Sequence, residues 1–96
     1  MKTPSRGDRG TERALTLQRS LVPKGDREKY FERIRKKRDH YTAAKCRFWV
    51  FEEAALPGAF IEFYEADDPD ILSQAHAASP DGVLDSNRIY LQVEID

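Results

Sequence analysis

The stretch from Phe60 to Pro80 constrains the fold of this chain more than any other part of the sequence. Its first half alternates as a β-strand does, with Ile61 and Phe63 on one face and Phe60, Glu62 and Tyr64 on the other. An acidic turn and a short helix that carries His76 follow. Because large side chains occupy both faces of this strand, we expect helices to cover one face and a second subunit or a ligand to cover the other.

Residue periodicity predicts six secondary-structure elements along the chain. Strands are predicted at 14–22, 46–52, 60–65 and 88–95, and helices at 27–45 and from Pro69 to about Ala78. Asp26 and Asp68 are the predicted N-caps of the two helices. The order βαββαβ predicts an α+β, ferredoxin-like fold, in which a four-stranded antiparallel sheet carries both helices on one face. Residues 1–13 are predicted to be a disordered lead, and residues 14–96 a single domain.

The alternation also predicts which side chains meet the helices. We expect Ile61 and Phe63 to face the helices, together with Ile89, Leu91, Val93 and Ile95 of the last strand. The opposite face, which we expect to contact a second copy of the chain, would carry Phe60, Glu62, Tyr64, Tyr90 and Gln92.

Size and charge narrow the function classes. A chain of 96 residues buries only roughly 60 to 65 % of its unfolded surface, so burial against a partner would add stability. The net charge of −1 argues against a strongly basic nucleic-acid binder. No apolar segment is long enough to span a membrane, and we expect a cytoplasmic protein. The single cysteine, Cys46, is expected to be a buried strand residue.

Two familiar kinds of site find little support in the sequence. The two histidines lie on different helices without a ligand pattern, so no metal site is predicted. RNA-recognition domains share the βαββαβ order, and Ala59 to Phe63 matches half of their third-strand motif. However, Leu56 replaces the basic residue of that motif, and Gly58 stands where a stacking ring is needed.

The strand from Phe60 to Glu65, the acidic turn, and the segment from Ile71 to Pro80 resemble the run "E-x-Y-x-D…A-L-x-x-H-x-x-S-P" of antibiotic biosynthesis monooxygenase-like proteins. The segment from Pro23 to Phe31 is similar to the strand-to-helix step of that family. The resemblance implies a dimeric α+β barrel, a homodimer whose sheets face each other, with a small apolar pocket between sheet and helices.

The resemblance further implies a cofactor-independent monooxygenase acting on an aromatic or quinol-like substrate. His76 and His40 are then the candidate proton-transfer groups, and the candidate substrate-binding residues are Trp49, Tyr41, Tyr64, Arg47 and Phe63. Haem degradation, also found in the family, is less favoured because Thr16, Gln18 and Tyr64 replace the expected partners of the iron ligand. The alternatives are a non-catalytic ligand-binding or assembly module and an RNA-binding domain.

Overall fold

A computed structural model of the chain describes residues 12–95. The predicted disordered lead therefore lies outside the described residues, except for Glu12 and Arg13. The elements are β1 (Ala14–Leu21), α1 (Arg27–Ala43), β2 (Arg47–Glu52), β3 (Ala59–Ala66), α2 (Pro69–Ala77) and β4 (Tyr90–Leu91), with a 3-10 turn at Lys24–Asp26 before α1. No helix in the described part of the chain is long and apolar enough to cross a membrane.

The four strands form one antiparallel sheet in the order β2-β3-β1-β4. Tyr41 of α1 and His76 of α2 both contact the ring of Tyr64 on β3, so both helices pack on the same face of the sheet. We call this the helix-covered face, and the opposite one the helix-free face. The predicted α+β class with a four-stranded antiparallel sheet and two helices is confirmed, and it is compatible with a ferredoxin-like fold.

The two helices begin differently. The Oδ1 atom of Asp68 accepts a hydrogen bond from the Ile71 amide at 2.9 Å, and Pro69 takes the first helical position, as the sequence predicts. The Asp26 side chain makes no capping hydrogen bond. Instead, the Asp26 amide donates to the Pro23 carbonyl at 2.8 Å within the 3-10 turn. Asp26 therefore holds the predicted N-cap position, but its side chain does not form the capping bond.

The predicted faces of β3 are reversed in the structure. Phe60, Glu62 and Tyr64 are buried beneath the helices, while Ile61 and Phe63 lie on the helix-free face. Apolar side chains are expected in the core because burial of a carboxylate is ordinarily costly. Here Lys37 and hydrogen bonds offset the cost of burying the Glu62 carboxylate, so Ile61 and Phe63 occupy the helix-free face.

The last strand is shorter than its alternating sequence predicts. Only Tyr90 and Leu91 pair with β1, opposite Leu15 and Ala14. One more bond, from the Gln92 amide to the Arg13 carbonyl, reaches the start of the described chain. Leu91 packs on the core as expected, as does Ile89, but Val93 and Ile95 are exposed, so their predicted helix-facing positions are wrong.

Candidate functional site

The centre of the helix-covered face holds a buried ion pair between Lys37 of α1 and Glu62 of β3. The two residues are 5 % and 1 % exposed, and Lys37 Nζ lies 3.0 Å from Glu62 Oε1. Lys37 is brought there by helical spacing, because it follows Ile34 by three positions and precedes Tyr41 by four. A salt bridge this deeply buried stabilises a fold less than apolar packing does. Its presence in a small domain therefore makes the pair a candidate functional site.

Four donors surround the Glu62 carboxylate. Tyr30 Oη donates to Oε2 at 2.8 Å, and Lys37, the Tyr64 hydroxyl and Gln18 Nε2 all donate to Oε1. Lys37 also donates to the Tyr64 hydroxyl at 3.2 Å. Burial, followed by the hydrogen bond to Glu62, raises the pKa of the Tyr30 and Tyr64 phenols far above the ordinary value, so both stay protonated donors.

A cavity of about 180 Å³ opens beside this pair, between α1, the sheet and the loop after α2. Most of its wall is polar or charged. The lining residues are Gln18, Ser20, Tyr30, Arg33, Ile34, Lys37, Glu62, Asp81 and Gly82. At its edge, Arg33 Nε and Asp81 Oδ2 lie 3.9 Å apart, and both side chains are partly exposed. The structure thus places a polar cavity against the buried charges, where the resemblance implies an apolar one.

His76 forms a second polar group on the same face. Its Nε2 lies 2.6 Å from Thr16 Oγ1, and its Nδ1 lies 2.8 Å from Tyr41 Oη, so both ring nitrogens are engaged by hydroxyls. Burial, assisted by the positive charges of Lys37 and His40, lowers the pKa of His76 to about 4. The ring is therefore neutral near pH 7, with one nitrogen donating and the other accepting.

The sequence-predicted site residues divide between the two faces of the sheet. Four of them meet on the helix-covered face: the His76 ring lies 5.4 Å from Tyr41 and 5.2 Å from Tyr64, and His40 packs on Tyr41 at 4.9 Å. His40 Nε2 also lies 2.8 Å from the Ala75 carbonyl oxygen, which ties α1 to α2. The other three, Arg47, Trp49 and Phe63, lie on the helix-free face, because their register partners on β3 or β2 place them there.

Sequence reasoning missed the four polar residues at the centre of the site, namely Thr16, Tyr30 as a hydrogen-bond donor, Lys37 and Glu62. Their periodicity could have revealed two of them. Lys37 falls within the apolar stripe of α1, and Glu62 alternates with Phe60 and Tyr64. A charged residue at a buried position of each of two adjacent elements is a signal for a buried pair.

The helix-free face is largely apolar, although Arg19 lies between Leu17 and Leu21 on it. It carries four side chains that are 44 to 79 % exposed, together with four that are partly buried among them. The exposed ones are Leu21, Trp49, Phe51 and Tyr90, and the partly buried ones are Leu15, Leu17, Ile61 and Phe63. Aliphatic side chains occupy β1 at the middle of this surface, and aromatic rings are concentrated on β2 and at the edge strand.

Charges of both signs lie at one end of the helix-free face. Glu65 is nearly buried and accepts from Arg47 Nε at 2.6 Å and from Arg13, while Arg47 Nη2 reaches Asp67 at 2.8 Å. These arginines lower the pKa of the Glu65 carboxyl against the opposing effect of burial. Arg19 places a further positive charge towards the other end of the face, opposite Ile61.

No protein-family model, curated protein or solved structure matches this chain. The resemblance to the antibiotic biosynthesis monooxygenase-like proteins therefore stays a prediction. Among residues 12–95, no group of three or more histidine, cysteine or acidic side chains is placed to hold a metal ion. Cys46 is buried just before β2, and burial raises the pKa of its thiol.

Proposed function

We propose that this protein is an assembly module that forms a homodimer through the helix-free face of its sheet. The observation that carries the proposal is the set of large apolar side chains left exposed there, of which Leu21 is 79 % and Phe51 57 % exposed. A contiguous exposed apolar patch of this kind is typical of a protein-protein contact.

The dimensions of the face suit a dimer. The strands β1 and β3 have eight residues each, β2 has six and β4 has two, so ordinary strand spacing and rise give the face a projected area of roughly 400 Å². Side-chain relief makes the accessible area larger than this projection, towards the roughly 800 Å² that each partner contributes to a standard interface. Two sheets can stack about 10 Å apart with their side chains interdigitating.

A second copy is favoured over another occupant by the charges and the apolar character of the surface. A two-fold interface needs a self-complementary surface. This face carries basic residues, Arg47 and Arg19, as well as the acidic Glu65 and Asp67. Single-stranded RNA would need a positive groove with stacking rings, but here the strand β1 presents Leu15 and aliphatic neighbours instead. The dimeric barrel implied by the family resemblance places the same face at the interface.

Sedimentation equilibrium of the full chain tests this proposal with a matched pair of variants. Phe51→Asp places a charge on the helix-free face, whereas Leu84→Asp places one at a similarly exposed leucine in the loop after α2. We expect the wild type and Leu84→Asp to sediment at twice the 11.1 kDa chain mass, and Phe51→Asp at the single mass. A wild-type protein that is monomeric at about 100 μM, where a micromolar interface would be saturated, refutes the dimer. An RNA-dependent mass would favour the RNA-binding alternative.

A second proposal is the cofactor-independent monooxygenase activity that the resemblance implies. The observation that favours it is that Glu62 lies in the wall of the cavity beside Lys37 and Tyr30, where a carboxylate could accept a proton from a phenolic substrate. With hydroquinone as substrate, one oxygen atom of O₂ would enter the ring to give hydroxybenzoquinone and the other would leave as water. The substrate would supply all four electrons.

Oxygen uptake with hydroquinone tests this activity. We expect one O₂ consumed per hydroquinone at a rate above autoxidation, lowered at least tenfold by Glu62→Gln and unchanged by Glu53→Gln, because Glu53 is exposed. Circular dichroism would establish that both variants are folded. Uptake no faster than autoxidation, or equal rates in the two variants, would refute the assignment.

A further inference from the structure

We propose that the cavity beside Lys37 and Glu62 binds a small hydroxylated carboxylate no larger than one aromatic ring. This site lies within a single chain on the helix-covered face. The proposal therefore depends on neither the homodimer nor the oxygenase activity.

The size of the cavity limits its occupant. Its volume is about 180 Å³. A buried cavity of about 150 Å³ is known to admit benzene, so a single substituted ring or a smaller acid fits, and a fused ring system does not. The polar wall, with Ile34 as one of its few apolar members, favours a ligand that carries hydroxyl groups over a hydrocarbon.

Hydrogen-bond accounting leaves donors available in the wall. Glu62 accepts three hydrogen bonds on Oε1 and one on Oε2, so only one acceptor position, on Oε2, is left in this carboxylate. Lys37 has three N–H donors and uses two, on Glu62 and on the Tyr64 hydroxyl. Gln18 Nε2 uses one of its two N–H groups on Glu62, and its Oε1 accepts from the Leu84 amide. The remaining donors suit a ligand rich in acceptors.

Arg33 supplies the charge that would select a carboxylate. Its guanidinium lies at the edge of the cavity, and its contact with Asp81 is long at 3.9 Å, whereas a strong charge-assisted pair is shorter than 3 Å. A ligand carboxylate could take two N–H groups from Arg33 with little loss of that contact. The negative charges of Glu62 and Asp81 disfavour a dianion such as phosphate, and Lys37 and Arg33 disfavour a cation.

NMR titration of the ¹⁵N-labelled full chain tests the site, with 4-hydroxybenzoate and lactate as the added acids and 4-hydroxybenzamide as a neutral analogue. We expect at least one of the two acids to shift the amide signals of Gln18 and Ser20, and the neutral analogue to bind at least tenfold more weakly. Arg33→Gln removes the proposed carboxylate partner, and Arg35→Gln is the matched control on the exposed side of the same helix.

The outcomes separate the proposal from its rivals. A dissociation constant raised at least tenfold by Arg33→Gln and left unchanged by Arg35→Gln supports the site, since charge-assisted hydrogen bonds are about that strong. No shift from either acid at about 10 mM overturns it, since the cavity would then bind these ligands more weakly than a millimolar site does. Equal loss in both variants, or equal binding of 4-hydroxybenzamide, would also overturn it. Because Arg33 is half-exposed, its replacement should leave the fold intact.

Discussion

Replacement of Lys37 by methionine should destabilise the protein strongly, because it leaves the Glu62 carboxylate buried without its counter-ion. Glu62 is 1 % exposed and would keep only neutral donors from Tyr30, Tyr64 and Gln18. Breaking a buried pair costs about 3 to 5 kcal/mol, and the remaining hydrogen bonds place this case near about 3 kcal/mol. For a domain of this size that corresponds to a melting temperature lower by roughly 12 to 24 °C.

Urea and thermal unfolding followed by circular dichroism at one protein concentration would measure this loss, since dimerisation makes stability concentration-dependent. Lys36→Met is the matched control, because Lys36 is exposed on the same helix, and it should change stability by no more than about 0.5 kcal/mol. Adding Glu62→Gln to Lys37→Met should cost less than the sum of the single changes by about 2 kcal/mol. A loss below about 1 kcal/mol in Lys37→Met, or additive effects in the double variant, would refute the account of a buried pair.

Three further predictions concern other parts of the molecule. Burial lowers the pKa of His76 in the folded protein to about 4, below its ordinary 6.5. The free energy of unfolding should therefore contain a His76 contribution of up to about 3 kcal/mol that is complete above pH 6.5 and is lost as the pH falls towards 4. Urea denaturation should show that the free energy of unfolding depends more steeply on pH in the wild type than in His76→Gln, and an equal pH dependence would contradict the burial argument. Gly58→Ala should lower the free energy of unfolding, measured in urea, by at least about 1 kcal/mol. The reason is that Gly58 has φ 96° and that a Cβ would lie 2.7 Å from the Val22 carbonyl oxygen. An unchanged free energy of unfolding would contradict this prediction. The fluorescence of Trp49, the single tryptophan, should shift to longer wavelength on dilution as the dimer separates, and an emission independent of concentration would count against its burial in the interface.

Local sequence signals predicted the elements well, because strand alternation and helix starts depend on nearby residues. The strand from Ala14 matches within one residue at its end, and the Asp68 cap is confirmed. The last strand is shorter than predicted, because the length of a strand depends on the neighbour with which it pairs. β1 begins at Ala14, opposite Leu91, so β1 offers no pairing partner beyond Leu91. Of the seven predicted site residues, four lie together on the helix-covered face and three lie on the helix-free face, and the roles proposed for all seven stay predictions.

The orientation of the central strand could not be predicted from hydrophobicity alone. A rule that buries apolar side chains places Ile61 and Phe63 under the helices and Glu62 outside. The opposite arrangement occurs because Lys37 and three neutral donors compensate Glu62 inside. This long-range pairing between α1 and β3 has no local signature apart from a charge within each buried stripe.

The most direct test of the proposed homodimer is an isotope-filtered NOE measurement on a mixture of ¹³C-labelled and unlabelled chains. The account predicts intermolecular contacts among Leu17, Ile61 and Phe63, and no contacts between copies that involve the buried Tyr64. Contacts between copies from helical residues, or none from the helix-free face in a sample of dimeric mass, would contradict the assignment of that face as the interface.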